Sequence, residues 1–141
     1  MRRTYIDSSV LIAAFRGTDD LSRRAMQALE DPDRGLVISD YVKLEVIPKP
    51  TYYGSQSEVE FMQAVFDHVV ENVPASSEVT SKALEMASKY DMTPMDALHI
   101  GAALVSGVDE VLTVEKPTKP ICRPTEVKVT SLHSLSEYFD K

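Results

Sequence analysis

The stretch TYIDSSVLI, residues 4–12, sets three β-prone residues directly before an acid, two serines and an apolar run. Thr4, Tyr5 and Ile6 read as a short strand. Beyond Asp7, the spacing of Val10, Leu11, Ala14 and Phe15 puts four apolar side chains on one face of a helix, which Gly17 closes. A strand running into a helix opens an α/β unit, and Asp7 stands at the joint. An acid there caps the helix through its free amides, or faces a ligand outside the carboxyl end of the strand.

The same alternation continues along the chain. Leu21, Ala25, Ala28 and Leu29 give helical spacing over 19–29, and Asp31-Pro32-Asp33 with Gly35 breaks it before a strand over 36–38. Ser39 or Asp40 caps a helix that runs through Glu45, where Pro48 and Pro50 stop or kink it. A helix over 57–70 leads into a strand over 70–73 that Pro74 ends. Ser76 or Ser77 starts a helix to Tyr90, and Thr93-Pro94 starts another that ends before Gly107. Strands over 110–114 and 127–130 follow, with a closing helix over 132–139. Short strands alternating with helices predict an α/β domain with a mainly parallel sheet of four to five strands.

With 141 residues, 43% of them hydrophobic, the chain has room for one sizeable core, and the expected organisation is a single domain over 1–141. The apolar run over 10–15 is too short for a signal-peptide core and no segment approaches a membrane span, so the expected location is the cytoplasm, with no membrane partner. The lone Cys122 makes neither an internal disulfide nor a cysteine metal cage, which fits a reducing compartment. A net charge of −7 argues against a generally basic nucleic-acid-binding surface. Its distribution is uneven, however: residues 116–128 carry Lys116, Lys119, Arg123 and Lys128 against Glu126 alone, a local basic strip on an acidic body.

Four acids fall where a parallel sheet gathers ligands. Asp7 follows the first strand, and Glu45 lies on the helix after the second. Asp96 is the third residue of the helix that Thr93 caps, the arrangement of a capping box, and Glu115 directly follows the strand over 110–114. Asp109 and Glu110 begin that strand, and so belong to the opposite edge. Each of the four has an ordinary alternative, as a cap or a solvated surface acid. Together, four clustered carboxylates repel one another and persist only if protonated or neutralised by a cation. Hard oxygen donors without a Cys or His cluster favour Mg²⁺ or Mn²⁺. A dinucleotide-binding fold is excluded, because residues 7–12 contain no glycine. An aspartyl-phosphate enzyme would present a second acid where Ser9 stands.

The order YIDSSVLI, KLEV, MTPMDALHIGAAL and LTVE resembles the PIN-domain family, most closely its single-domain VapC-type toxin ribonucleases, over Thr4 to about Val129. The resemblance implies a three-layer α/β/α fold and an acidic pocket that binds Mg²⁺ or Mn²⁺ to cleave RNA. Asp7, Glu45 and Asp96 match the family's three metal-site acids, and Ser9 matches a supporting hydroxyl position. Glu115, with Thr113 as support, matches the fourth acid. There the family usually has aspartate followed soon by phenylalanine, whereas this chain reads Thr113-Val114-Glu115-Lys116-Pro117. Lys43, Lys49, Lys116 and Lys119 flank the expected edge and are candidates for substrate phosphates. An antitoxin protein and a homodimer are implied partners. His99, one turn after Asp96, is expected as a packed, hydrogen-bonded residue of an apolar helix. The alternative reading is a non-catalytic PIN-like module that binds protein or RNA.

Overall fold

Pairing among the short apolar segments decides the architecture. The computed structural model describes residues 1–133. Its strands are β1 (Arg2–Ile6), β2 (Arg34–Ser39), β3 (Glu71–Val73), β4 (Glu110–Thr113) and β5 (Val129–Ser131), all parallel in one sheet of order β3-β2-β1-β4-β5. The helices are α1 (Ser8–Arg16), α2 (Asp20–Glu30), α3 (Asp40–Val46), α4 (Pro48–Tyr52), α5 (Gln56–Phe66), α6 (Ser77–Tyr90) and α7 (Pro94–Ser106). They flank the sheet in a three-layer α/β/α arrangement. Consecutive Tyr5 and Ile6, Val37 and Ile38, and Val111 and Leu112 are all fully buried, as a parallel sheet covered on both faces requires.

The strands reach further back than apolar character alone predicts. Buried Glu110 accepts from Thr4 Oγ1 at 3.2 Å and Arg34 Nε at 3.1 Å, with Arg2 Nε at 3.5 Å. Arg3 pairs with Glu71, and its backbone N donates to Asp109 Oδ2 at 2.8 Å. These ion pairs satisfy the arginines, so β1 starts at Arg2 and β2 at Arg34 rather than at Thr4 and Leu36. Asp109 and Glu110 thus belong to the amino edge of the sheet.

Three other boundaries differ from expectation. Pro48 ends α3 and opens α4 as its first residue, where its missing amide costs nothing. Helix α5 ends at Phe66, and Val70 N already donates to Leu36 O at 2.8 Å, drawing the chain into the sheet. Strand β5 begins at Val129, and the proline-rich stretch before it holds a single 3-10 turn, Pro120–Cys122. Beyond His133, the closing helix expected over 132–139 lies outside the described residues.

The chain builds outward from β1 through β2 to β3, then returns to add β4 and β5 on the other flank. The carboxyl ends of β1 and β4 therefore border the point where the winding direction reverses, which is where α/β sheets open a crevice. Asp7 leaves β1 there, and Glu115 follows two residues after β4.

Candidate functional site

Asp7 takes the first of the two roles its position allowed. It is the N-cap of α1, accepting from Ser9 N at 3.0 Å and from Ser9 Oγ, and it is buried, with 4% of its surface exposed. Ser9 Oγ in turn accepts from Val114 N at 3.1 Å, and Thr113 Oγ1 accepts from Glu115 N at 3.1 Å. Ser9 and Thr113 thereby tie the end of β1 to the segment that carries Glu115. Burial pushes the Asp7 carboxyl above its ordinary pKa, against the hydrogen bonds of Ser9 and Thr113 that favour its ionised form.

Asp96 sits in the first turn of α7, where Thr93 caps through its side chain and Pro94 supplies the first helical residue. Its carboxyl is half-buried and its pKa is raised, first by burial and then by the neighbouring charges of Glu115 and Glu45, while His99 opposes them. The fold thus brings within electrostatic reach acids from α3, α7 and the segment after β4. Cys122, unforeseen from sequence, joins them: burial lifts its thiol to about 11, helped by the charges of Asp7, Glu115 and Asp96.

Glu45 differs from the others. Ser8 Oγ donates to its Oε1 at 2.6 Å, and His99 Nε2 lies 2.5 Å from the same oxygen. These contacts, His99 first, hold its pKa below the ordinary glutamate value despite partial burial. The other ring nitrogen of His99, Nδ1, lies 2.7 Å from the Tyr5 hydroxyl, which is 2.6 Å from Ser39 Oγ. Tyr5 and Ser8 were not singled out from sequence, and Ser39 was read there only as a helix cap, which it is. The available signal was a tyrosine inside a strand, whose hydroxyl needs a partner once buried.

The lysines divide. Lys116 and Lys119 bracket a turn directly after Glu115, closed by Lys119 N donating to Lys116 O at 3.0 Å. Lys49 is exposed on α4. Lys43 turns away from Glu45: its ammonium lies over the Phe66 ring, 5.6 Å from the centroid, and its charge acts on Asp40.

Among the described residues, no three His, Cys, Asp or Glu side chains stand close enough to hold one ion directly. The donor chemistry nonetheless fits Mg²⁺ or Mn²⁺. Mg²⁺ retains several waters and needs only one or two direct carboxylates. Buried Asp7 and half-buried Asp96 are hard oxygen donors whose raised pKa values a divalent cation would reverse.

The fold has known counterparts. A toxin–antitoxin complex from Klebsiella pneumoniae contains a chain 20% identical over 94% of this one and 99% of its own, with a TM-score of 0.73. VapBC2 from Rickettsia felis, solved bound to a DNA fragment from its promoter, gives 14% identity, 92% and 98% coverage and a TM-score of 0.67. FitAcB from Neisseria gonorrhoeae gives 13%, 92% and 97%, and 0.64. At these identities the likeness concerns the fold. No curated protein matches the sequence. Among the described residues, no helix is long and apolar enough to cross a membrane. The PIN domain family matches residues 4–116, a span that takes in all four edge acids, Asp7, Glu45, Asp96 and Glu115, and the chain belongs to that family.

Proposed function

We propose that this chain is a single-domain, divalent-metal-dependent endoribonuclease and the toxin half of a toxin–antitoxin pair, acting in the cytoplasm as a homodimer. The observation that carries this reading is the placement of acids at the carboxyl edge: Asp7 is buried at the end of β1, and half-buried Asp96 feels the charges of Glu115 and Glu45. Keeping such acids together raises the energy of the folded chain unless a cation joins them. Family membership and the likeness to toxin–antitoxin complexes support the nuclease reading and an antitoxin partner.

In this reading Asp7 and Asp96 hold the principal Mg²⁺ or Mn²⁺ ion, and Glu45 and Glu115 serve a second ion or its waters. When bound, the metal supplies a more acidic water and positive charge to offset the pentavalent transition state at phosphorus. The protein's own work is positional. Ser9 and Thr113 fix the Asp7 carboxylate through hydrogen bonds, so it meets the ion in one orientation. The longer arm of Glu115 spans the reach usually given to an aspartate. Lys116 and Lys119 take substrate phosphates from the turn beside it, and Lys49 extends that contact along the RNA strand. Lys43, already engaged by Phe66, contributes less.

The test is a panel of structured RNAs incubated with the protein and Mn²⁺. Discrete fragments are expected, lost on adding a chelator and restored by excess Mn²⁺, with DNA of the same sequences left intact. Cleavage that persists in the chelator, or a panel left uncut at every Mn²⁺ concentration, contradicts the proposal.

A further inference from the structure

We propose that His99 is a positioning residue, the centre of a hydrogen-bonded brace Ser39–Tyr5–His99–Glu45 that fixes the second acid of the site; the inference rests on the ribonuclease reading above. His99 is 2% exposed, Tyr5 and Ser39 are fully buried, and Glu45 keeps about a third of its side chain exposed. A glutamate at the rim needs no buried donors for its own sake. Here two converge on one oxygen, Oε1, from Ser8 at 2.6 Å and His99 Nε2 at 2.5 Å. Among the described residues Oε2 has no protein hydrogen bond, which leaves it for a water or an ion.

One direction of the hydrogens serves every atom of the chain. Ser39 Oγ already accepts from Val42 N at 3.4 Å as the N-cap of α3, so its own hydrogen is available to the Tyr5 oxygen at 2.6 Å. Tyr5 then donates to His99 Nδ1 at 2.7 Å, and the hydrogen on Nε2 points to Glu45. Reversing the chain strands the Ser39 hydrogen and turns an Nε2 lone pair toward a carboxylate. The geometry thus favours a hydrogen on His99 Nε2, facing Glu45.

The brace also explains how so short a helix is held. Seven-residue α3 ends at the Pro48 break and lacks the length to be stable alone. Ser39 at its start and Glu45 near its end are both tied to the same histidine, the first through Tyr5 of β1. His99 lies three residues after Asp96, so α7 sets two of the four acids: one carried on itself, the other through a ring it buries.

The experiment compares the parent with His99→Leu, His99→Gln and Tyr5→Phe. Glutamine replaces the Nε2 donor but does not reach Tyr5. Three readouts are taken: ¹⁵N resonances of His99 in the metal-free parent, Mn²⁺ affinity by calorimetry, and kcat and KM for a cleaved RNA. The expected results are an Nε2–H tautomer, a Mn²⁺ Kd raised about tenfold in His99→Leu, and a kcat lowered by about 10–100-fold with KM within about twofold, largely recovered in His99→Gln. Tyr5→Phe, which removes only a hydroxyl, is expected to shift the His99 Nδ1 resonance without unfolding the protein, and it stands in should His99→Leu fail to fold. A parent that cuts RNA while His99→Leu retains its kcat and Mn²⁺ affinity overturns the brace alone, as does an Nδ1–H tautomer. A parent that neither binds Mn²⁺ nor cuts overturns the ribonuclease reading and this assignment together.

Discussion

Asp7→Asn is expected to lower RNA cleavage by at least about 10³-fold and, in the absence of metal, to raise the thermal midpoint at neutral pH by a few degrees. The first effect follows from removing a charged ligand of an ion that the reaction needs: a loss of roughly 4 kcal/mol of transition-state stabilisation is about a thousandfold in rate. The second follows from burial. The folded chain raises the Asp7 pKa above the ordinary 3.8, with desolvation the leading cause, so the fold holds a proton there more tightly than the unfolded chain does. The stability linked to that proton is complete below pH 3.8 and is lost as pH rises through the folded pKa, so at neutral pH burying this carboxyl is a net cost. Asparagine keeps the oxygen that accepts from Ser9 N and carries no charge. The gap between variant and parent should therefore close as pH falls toward 3.8. Differential scanning calorimetry from pH 3 to 8 checks this, and a variant that melts below the parent at pH 7 contradicts it.

Gly101→Val is expected to destabilise the fold by about 3 kcal/mol, a fall in Tm of roughly 10 °C. A Cβ at Gly101 would lie 2.8 Å from Val79 O and 3.1 Å from Ala83 N, both backbone atoms of α6 that have no side-chain freedom with which to retreat. Helices α6 and α7 meet there through bare backbone, and the branched valine adds two methyls to the same collision. Because α7 carries Asp96 and His99, the displacement should also weaken Mn²⁺ binding. Gly101→Ala shares the Cβ contact and should show a smaller loss of the same sign. Thermal denaturation followed by far-ultraviolet circular dichroism measures it, and a Gly101→Val protein melting within about 2 °C of the parent would rule out the close approach.

Much of this was legible in the residues because short-range chemistry dictated it. Asp7 had to sit at a strand-to-helix joint once TYI read as a strand. Thr93-Pro94 fixed the start of α7 and hence Asp96 in its first turn. The small residues Gly101, Ala102 and Ala103 read as a surface for close packing on the sheet, but periodicity does not say which layer supplies the partner, and Gly101 meets α6 instead. Nor did apolar runs reveal that Glu110 would let Arg2 and Arg34 extend the strands, since that depends on pairing across 76 positions between Arg34 and Glu110. The orientation of Lys43 was within reach of helix geometry, because a residue two before Glu45 points to a different side. The His99 brace was not, because it joins β1, β2, α3 and α7 through side chains that only the assembled sheet brings together.

In the function proposed here the edge acids form one cation site. Isothermal titration of Mn²⁺ into the parent and into Asp7→Asn at neutral pH tests it without knowledge of the RNA. Saturable binding in the parent, weakened at least about tenfold in the variant and accompanied by a rise in the parent's Tm, is the predicted result. Equal binding heats and equal thermal shifts in the two proteins would mean that Asp7 is no part of a metal site, and would contradict a shared cation site at this edge.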